Sequence, residues 1–274
     1  NKAKWHDTSD QRKRLAAYCL RDCDAEYELS TTCPPMSAEE LKVWQLDQRI
    51  NERGIPMDRV GIENALRVVN QATEANTQQI QHLTGGAVNS PRQVAALQKW
   101  IGQHGVQLDD LRANTVRNKL DDPDVTGCVR RALELRQASA KASTAKLVAM
   151  LNQMDADSRI RDAFRYHGSH TGRWAGKGVQ FQNFPRGTVP EYLLPAALQA
   201  FASGDHRVVQ LLFGDTLKTV SDCLRSFLCA RPGYKLIVCD FAGIEARVLA
   251  WLAGDKKLLQ MFLDGVDTYK TLAT

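Results

Sequence analysis

The sequence predicts an α+β fold that is mainly helical. Apolar residues recur at three- and four-residue steps through most of residues 37–155, which is the spacing of helices with one buried face. Glycine, aromatic and β-branched residues become frequent only after that point, and residues 236–239 form a short apolar run typical of a buried strand. We therefore expect a helical region, a boundary between about residues 155 and 165, and then a strand-containing region.

Capping and turn residues divide the helical region. A first helix is predicted over residues 10–29. Ser37, with Glu40 three residues on, forms a capping box that starts the next helix. Asp58 can cap a third helix, which the glycine pair at 85–86 ends. Each boundary is thus predicted from a residue whose side chain or backbone favours it.

Further helices follow from the same kinds of signal. Ser90 before Pro91 is the strongest start signal in the chain, because serine caps a helix and proline fits its first position. A long helix is expected over residues 124–154. Two or three more are expected between residues 185 and 231, and another over residues 244–252.

The composition describes an ordinary globular chain. Its 274 residues suggest about two domains, and 43% hydrophobic with 24% charged residues exclude disordered, collagen-like and coiled-coil proteins. The most apolar stretch, residues 236–253, contains Asp240, Glu245 and Arg247, so it lacks the composition of a membrane-spanning helix. We expect no membrane association.

Cysteine and histidine spacing predicts neither a disulfide framework nor a zinc site. The seven cysteines form no C-x-x-C pair and are odd in number, which favours a reducing cytoplasm. Cys19 and Cys23 are expected in the core of the first helix rather than as ligands. His167 and His170 are expected to contact phosphate or to pack, because no cysteine or acidic cluster lies near them in sequence. With no initiator Met and no apolar signal stretch, the chain is expected to be a piece of a longer, non-exported protein.

Residues 159–186 concentrate positive charge. They contain six basic residues and one acidic residue, with aromatic residues and glycines interspersed. Basic charge, flexible backbone and flat rings suit a polyphosphate chain with bases attached, which makes nucleic acid a candidate ligand. A solvated basic loop without a ligand is the alternative that the composition leaves open.

Asp240 is the most informative single residue, because the apolar run at 236–239 places a carboxylate at the end of the predicted strand. Burial of an unpaired carboxylate is costly, and an acid at a strand end is suited to hold a hard cation such as Mg²⁺. Capping of the helix that begins near Ile244 is the alternative use of this side chain. Glu245 and Leu249 share a helix face, so we expect Glu245 to face packed surface.

Residues 240–255 resemble the first palm motif of the family A DNA polymerases, the DNA polymerase I family, in its phage-encoded branch. Their sequence is Asp-Phe-Ala-Gly-Ile-Glu-Ala-Arg-Val-Leu-Ala-Trp-Leu-Ala-Gly-Asp. Upstream, residues 171–174 (Thr-Gly-Arg-Trp) and 180–185 (Gln-Phe-Gln-Asn-Phe-Pro) are similar to the T-G-R and L-Q-N-I-P elements of the family, in the same order. Trp174 stands where the cellular enzymes have Leu. Two long motifs in register make the resemblance specific.

The resemblance implies a domain organisation. Residues 1–35 would be the C-terminal remnant of a 3′–5′ exonuclease domain, in which Tyr18 and Asp22 match the Y-x-x-x-D motif. Residues 36–160 would form the palm entry and the helical thumb. Residues 161–274 would form the first part of the palm, with a short antiparallel sheet and a helical insertion. The fingers and the second palm carboxylate would be missing, so the resemblance implies a fragment without activity of its own.

The palm motif implies roles beside the incoming nucleotide. Asp240 would ligate two Mg²⁺ ions, with the backbone carbonyl of Phe241 as a further ligand. Glu245 would crowd the 2′ position of the sugar and so favour deoxyribose. Ala242 and Gly243 stand where the family usually has Ser-Gln, which leaves less polar surface beside the nucleotide.

The same resemblance implies contacts with primer–template DNA. Arg173, Gln182 and Asn183 would follow the minor groove, where base-pair shape rather than sequence is read. Lys146 would hold phosphates, and Arg247 would also bind DNA. The implied reaction is two-metal phosphoryl transfer, in which the primer 3′-hydroxyl attacks the α-phosphate of a dNTP and pyrophosphate leaves. A cytoplasmic monomer in a bacterial or phage-infected cell is expected.

Two other functions stay open at the level of the sequence. A non-catalytic, basic, helical module could grip duplex phosphates through residues 159–186. A nuclease built on Tyr18 and Asp22 is the second alternative, but it needs acidic partners, and none precedes residue 7.

Overall fold

The computed structural model of the protein describes residues 8–139 and 143–273. These residues are mainly helical, as predicted, and contain two small antiparallel sheets. The chain divides into two compact units, Asn1–Leu228 and Cys229–Thr274. None of the helices in the described ranges is both long and apolar enough to cross a lipid bilayer. The long helix predicted over 124–154 includes residues 140–142, which lie outside the described ones.

Capping residues set the boundaries of the main helices in the first unit. The Ser37 hydroxyl accepts a hydrogen bond from the backbone N–H of Glu40 (3.1 Å), and the Asp58 carboxylate accepts one from the N–H of Gly61 (2.9 Å). Both predicted caps are therefore confirmed. The helices of this unit are α1 (Ser9–Thr32), α2 (Ala38–Arg53), α3 (Arg59–Leu83), α4 (Val94–Gln103), α5 (Ala113–Leu120), α6 (Gly127–Ser139), α7 (Ser143–Gln153), α8 (Leu194–Ala202), α9 (His206–Phe213) and α10 (Thr216–Asp222).

Two short antiparallel strand pairs form the two sheets. Strand β1 (Ile55–Pro56) pairs with β2 (Arg159–Ile160), with Ile55 opposite Ile160. Strand β3 (Phe164–Arg165) pairs with β4 (Ala175–Gly176), with Phe164 opposite Gly176. The β3–β4 hairpin presents the Thr-Gly-Arg element at its tip.

The long helix α3 joins two hydrophobic cores. Its first half, including Ile62 and Val69, packs into a core shared with α7, α8 and α10. Its last turns, including Ile80, pack into a second core with α4, α5 and α6. Full burial of a large apolar side chain stabilises a fold by about 1.5–3 kcal/mol, so α3 contributes to the stability of both cores.

The helices after residue 185 belong to the first core. Phe201 of α8 and Phe227 are fully buried among the side chains that α3 contributes. Gln71 of α3 clamps the turn before α9, because its Nε2 donates to the carbonyl of Gly204 (2.7 Å) and its Oε1 accepts from the N–H of His206 (3.0 Å). The division into compact units thus falls after residue 228, while the assignment of thumb and palm stays a prediction.

A partly buried carboxylate links α10 to the segment that follows the Gln-Phe-Gln-Asn-Phe-Pro element. Asp222 accepts hydrogen bonds from Nζ of Lys218 (2.6 Å) and from the hydroxyl of Thr188 (2.7 Å). Burial raises the pKa of Asp222, but these hydrogen bonds outweigh it and hold the pKa below its ordinary value. The bonded carboxylate therefore stabilises the fold above pH about 4, and the contribution is lost as pH falls through the lowered pKa.

Replacement of the Asp222 carboxylate is expected to lower the free energy of unfolding by an amount that depends on pH. Asp222→Asn should lower the free energy of unfolding at pH 7, and the difference from the wild type should shrink at about pH 3, because the carboxyl of the unfolded wild type is then largely protonated. Urea unfolding of both proteins at the two pH values measures this. An equal loss at both would contradict the assigned charge state.

The first helix is present but contributes nothing to either core. α1 begins at Ser9 with a capping box between Thr8 and Gln11, and none of its described side chains is buried. The expectation that Cys19 and Cys23 pack in a core is wrong, since both are exposed. The physical reason is that no other described element makes extensive contact with α1, so its backbone hydrogen bonds and its cap hold it rather than burial.

The start predicted for α4 is displaced. The helix begins at Val94, three residues after Pro91, and its N-cap Gln93 makes no capping hydrogen bond. The Ser90 hydroxyl instead accepts from the N–H of Arg92 (3.3 Å) in a turn that precedes the helix. A serine side chain can bond its own neighbouring backbone in a turn as well as cap a helix, and here the turn prevails.

The second unit is built from α11 (Ile244–Ala253), α12 (Lys256–Leu263) and α13 (Thr268–Ala273). The helix predicted over 244–252 is confirmed, with Gly254 in a left-handed conformation at its end. The strand predicted at 236–239 is wrong: these residues form no strand, and Ile237 and Val238 are 80% and 90% exposed. A strand needs a hydrogen-bonded neighbour, and no other strand lies within the described residues of this unit.

Candidate nucleic-acid interface

The Thr-Gly-Arg element forms a tight loop whose backbone is fixed. The Ser169 hydroxyl accepts a hydrogen bond from the N–H of Arg173 (3.0 Å), and the N–H of Ser169 donates to the Arg173 carbonyl (3.2 Å). Gly172 has a φ of +75°, a conformation that glycine adopts without strain. The loop therefore presents the side chain of Arg173 on the surface from an ordered backbone.

The Gln-Phe-Gln-Asn-Phe-Pro element lies next to the same hairpin. Phe181–Asn183 form one 3₁₀ turn, in which the Asn183 amide donates to Oε1 of Gln180 (2.7 Å). The carboxamide of Gln182 lies over Gly176 of β4, in the space that a β-carbon at that position would occupy. Gln182 and Asn183 are both exposed. The structure thus brings Gln182 against the hairpin that carries Arg173, as a shared binding surface requires.

Lys146 connects α7 with this surface. Its Nζ donates to the backbone carbonyl of Asn183 (2.7 Å) and lies 4.8 Å from the ring centre of Phe184. Partial burial lowers the pKa of Lys146 from its ordinary value. The side chain is therefore engaged in holding Asn183, and its predicted role in binding phosphates stays a prediction.

The basic segment at 159–186 is less available than its composition suggests. Arg161 makes ion pairs with Asp155 (2.6 Å) and Asp157 (2.7 Å), whose hydrogen bonds raise its pKa. Arg159 donates to the carbonyl of Arg53 (2.8 Å). The charge count missed these partners because both acidic residues lie just upstream of the counted window. Four basic side chains of the segment are exposed: Arg165, Arg173, Lys177 and Arg186.

His167 and the residues of the exonuclease-like motif lie on different elements: His167 follows β3, whereas Tyr18 and Asp22 lie on α1. Nε2 of His167 is 3.5 Å from the Glu40 carboxylate. Tyr18 and Asp22 lie one turn apart on the exposed helix α1. Across the part of the chain that the structure describes, no three His, Cys, Asp or Glu side chains come together as metal ligands would.

A small change at Gly176 is expected to disturb the contact between Gln182 and the β3–β4 hairpin. We predict that Gly176→Ala displaces the Gln182 carboxamide, because the added methyl group would overlap it, while the flexible side chain can move away at little cost in stability. Fluorescence anisotropy should show weaker binding of primer–template duplex. Gly102→Ala on α4 is the matched control, since its methyl group would make only ordinary van der Waals contact with the side chain of Gln107, at 3.8 Å; equal effects of the two substitutions would contradict the placement of Gln182.

In the second unit, Asp240 is exposed in the non-helical segment before α11. The N-cap of α11 is Gly243, which is left-handed, and no side chain caps the helix. Asp240 therefore does not serve as the helix cap, which was the alternative use of this residue. Its neighbour Phe241 is 78% exposed.

Arg247 stabilises the turn that carries the palm motif. Its Nε donates to the carbonyl of Ala242 (2.8 Å), and its guanidinium lies 4.7 Å from the ring centre of Phe262 on α12. The expectation that Glu245 faces packed surface is wrong, because Glu245 and Leu249 are both exposed. No described element of this unit covers that face of α11, and Ala250 alone among its described side chains is buried.

Sequence reasoning missed two polar residues that organise the hairpin. Asp47 and Asn51 lie on one face of α2, four residues apart, and both are buried. Their spacing was a usable signal, because two polar residues at helical spacing on the side of α2 that faces the fold must find partners. The partners themselves lie more than a hundred residues away in sequence.

Comparisons with known proteins agree with the motifs. Residues 61–274 match the model of DNA polymerase family A. The chain is 31% identical, over 261 residues, to the DNA polymerase of Bacillus phage SP02; the alignment covers 94% of this chain and 39% of that protein, so the chain spans about two fifths of its relative's length. No solved structure matches the chain. The resemblance to a phage-type polymerase is thereby confirmed, and the chain belongs to DNA polymerase family A.

Proposed function

We propose that this chain supplies part of the duplex-binding surface and the first catalytic carboxylate of a DNA-directed DNA polymerase. We propose that these residues are part of a longer protein, which we call the parent polymerase. Membership of the family supports DNA synthesis in general terms. Two observations carry the finer proposal: Arg173 is exposed on a hydrogen-bonded loop, and Gln182, next to the exposed Asn183, packs against the hairpin that carries this loop.

The residues of the palm motif suit a divalent cation. The Asp240 carboxylate is exposed, and the backbone carbonyl of Phe241 follows it, so two hard oxygen donors of the kind that Mg²⁺ prefers are adjacent in the chain. Asp240 and the Phe241 carbonyl would hold the two Mg²⁺ ions of the complete site. When bound, Mg²⁺ stabilises the charge that develops in phosphoryl transfer from a dNTP.

The remaining palm-motif residues would shape the nucleotide site. Arg247 would keep the turn at Ala242 in place through the hydrogen bond to its carbonyl, and so would act on DNA binding through that turn. Ala242 would leave an apolar surface beside the base-paired nucleotide, and Glu245 would exclude a 2′-hydroxyl. Selection of deoxyribose by Glu245 rests on the resemblance of the motif, because Glu245 is exposed.

On the DNA side, the exposed loop would contact the minor groove of primer–template duplex near the primer terminus. Arg173 would donate to base and sugar acceptors from a fixed backbone, and the amides of Gln182 and Asn183 can both donate and accept there. Lys146 would position Asn183 through its carbonyl and add positive charge near the phosphates.

The proposal extends to the rest of the chain. Tyr18 and Asp22 would be the remnant of a 3′–5′ exonuclease motif on α1. The 274 residues by themselves would bind duplex without extending a primer, and a primer-extension assay on them that showed templated synthesis would refute this. A cytoplasmic, monomeric parent polymerase remains part of the proposal.

A single substitution tests the duplex-binding surface. Arg173→Ala in the 274-residue chain should raise the Kd for a primer–template duplex about five- to tenfold. If the Arg173 side chain also contacts a DNA phosphate, the substitution should reduce the slope of log Kd against log salt concentration by about one phosphate contact. Fluorescence anisotropy over a range of salt concentrations measures both.

The control for this test is Arg207→Ala. Arg207 is equally basic and highly exposed, but it lies on α9 and pairs with Asp205 (3.1 Å). Arg207→Ala should leave the Kd for the primer–template duplex unchanged. If Arg173→Ala weakens binding no more than Arg207→Ala, the loop does not form the duplex-binding surface.

A further inference from the structure

Asp47 is a buried carboxylate on α2 that reaches across the fold. Only 2% of its surface is exposed. Oδ1 accepts a hydrogen bond from the indole Nε1 of Trp174 (2.7 Å), and Oδ2 accepts from the amides of Asn51 (3.2 Å) and Gln48 (3.1 Å). Burial of a carboxylate is strongly unfavourable unless donors compensate it, so the three bonds account for its presence. The shortest of them joins residues 127 positions apart.

Both strands of the β3–β4 hairpin are held by this face of α2. Asn51 clamps β3: its Nδ2 donates to the Phe164 carbonyl (2.9 Å), and its Oδ1 accepts from the Phe164 N–H (3.0 Å). Asp47 holds the other side through Trp174, which directly precedes β4. The loop that ends at Arg173 is thus fastened to α2 at both of its ends.

Trp174 is placed to transmit this restraint to its neighbour. Its ring meets Tyr166 edge-on at 5.5 Å between ring centres, and 45% of the residue is exposed next to Arg173. An indole fixed at one nitrogen and one edge has little rotational freedom. The Leu that cellular members of the family have at this position cannot donate a hydrogen bond, so the restraint depends on the Trp of this chain.

We propose that Asp47 is a positioning residue that, through the indole of Trp174, fixes the direction in which Arg173 leaves the hairpin towards duplex DNA. This inference rests on the proposed function of the loop. Asp47 itself touches no DNA and acts only through Trp174. The contrasting possibility is that the hydrogen bond stabilises the fold without affecting DNA binding.

A double-mutant cycle separates these roles. Asp47→Asn, Trp174→Phe and the double variant would be made in the 274-residue chain. For each, the Kd for primer–template duplex is measured by anisotropy, the stability by urea unfolding, and the indole N–H resonance by NMR on ¹⁵N-Trp protein, with Trp174→Phe assigning the peak. Val209→Ala, a buried substitution on α9, serves as a control for general destabilisation.

The positioning role predicts coupled effects. Asp47→Asn should shift the Trp174 indole resonance and raise the Kd about three- to tenfold, while the same substitution in the Trp174→Phe background should add almost nothing. Val209→Ala should leave the Kd unchanged. The proposal is overturned if Asp47→Asn raises the Kd equally in both backgrounds, if it shifts the resonance without changing the Kd, or if Val209→Ala matches its effect on the Kd. Failure of the proposed function gives a different pattern, in which Arg173→Ala also leaves the Kd unchanged.

Discussion

Asp240→Asn in the parent polymerase is expected to reduce nucleotide incorporation by about a thousandfold or more while the Kd for primer–template changes little. The carboxylate would hold the metal ions that stabilise the transition state, and loss of such an interaction removes several kcal/mol from catalysis. Duplex binding would depend on the loop around Arg173 instead. Single-turnover incorporation of one nucleotide measures the rate, and anisotropy measures the Kd.

Asp264→Asn is the matched control for this prediction. It makes the same change of charge in the same unit, at an exposed residue just beyond α12 that pairs with Gln260 (2.8 Å). Incorporation should be nearly unaffected. A parent protein without any templated synthesis would favour the alternative, a non-catalytic basic module that binds nucleic acid, because such a module has no synthesis for Asp240→Asn to remove.

Phe201→Ala is expected to lower the free energy of unfolding of the first unit by about 3–5 kcal/mol. Phe201 on α8 is fully buried in the core that includes α3 and α7, and removal of a buried aromatic ring leaves a cavity as well as losing apolar burial. The size of the loss tests whether the segment after residue 185 shares this core. Urea unfolding of the 274-residue chain measures it.

The control on the neighbouring helix is Leu211→Ala. Leu211 of α9 is 86% exposed, so its replacement should change the free energy of unfolding by no more than about 0.5 kcal/mol. If Phe201→Ala changed the free energy of unfolding as little as Leu211→Ala, α8 would not be part of the core that supports the proposed duplex-binding surface.

Local features of the fold could be predicted because they depend on neighbouring residues. The caps at Ser37 and Asp58 and the end of α11 at Gly254 follow from side chains and backbone preferences within one helical turn. The motif residues Arg173 and Gln182 were found by their order in sequence, and the structure brings their two segments together at Gly176. Spacing and motif order were therefore sufficient for these features.

Features that depend on distant partners could not be predicted from local pattern. Residues 236–239 have the composition of a strand, but a strand forms only where a neighbour offers hydrogen bonds. The positive charge of Arg161 is paired within the protein, because Asp155 and Asp157 lie beside it. The bond between Asp47 and Trp174 joins two segments whose proximity no periodicity indicates.

The measurement that most directly tests the account is iron-mediated cleavage of primer–template DNA bound to the parent polymerase. When hydrogen peroxide is added, Fe²⁺ bound in place of Mg²⁺ reduces it to a hydroxide ion and a hydroxyl radical, itself becoming Fe³⁺, and the radical cuts DNA close to the ion. We predict cuts concentrated at the primer terminus with the wild type and lost with Asp240→Asn, while both proteins bind the duplex equally. Cuts that are unchanged in Asp240→Asn, or spread evenly along the duplex, would contradict the placement of this carboxylate at the site of synthesis.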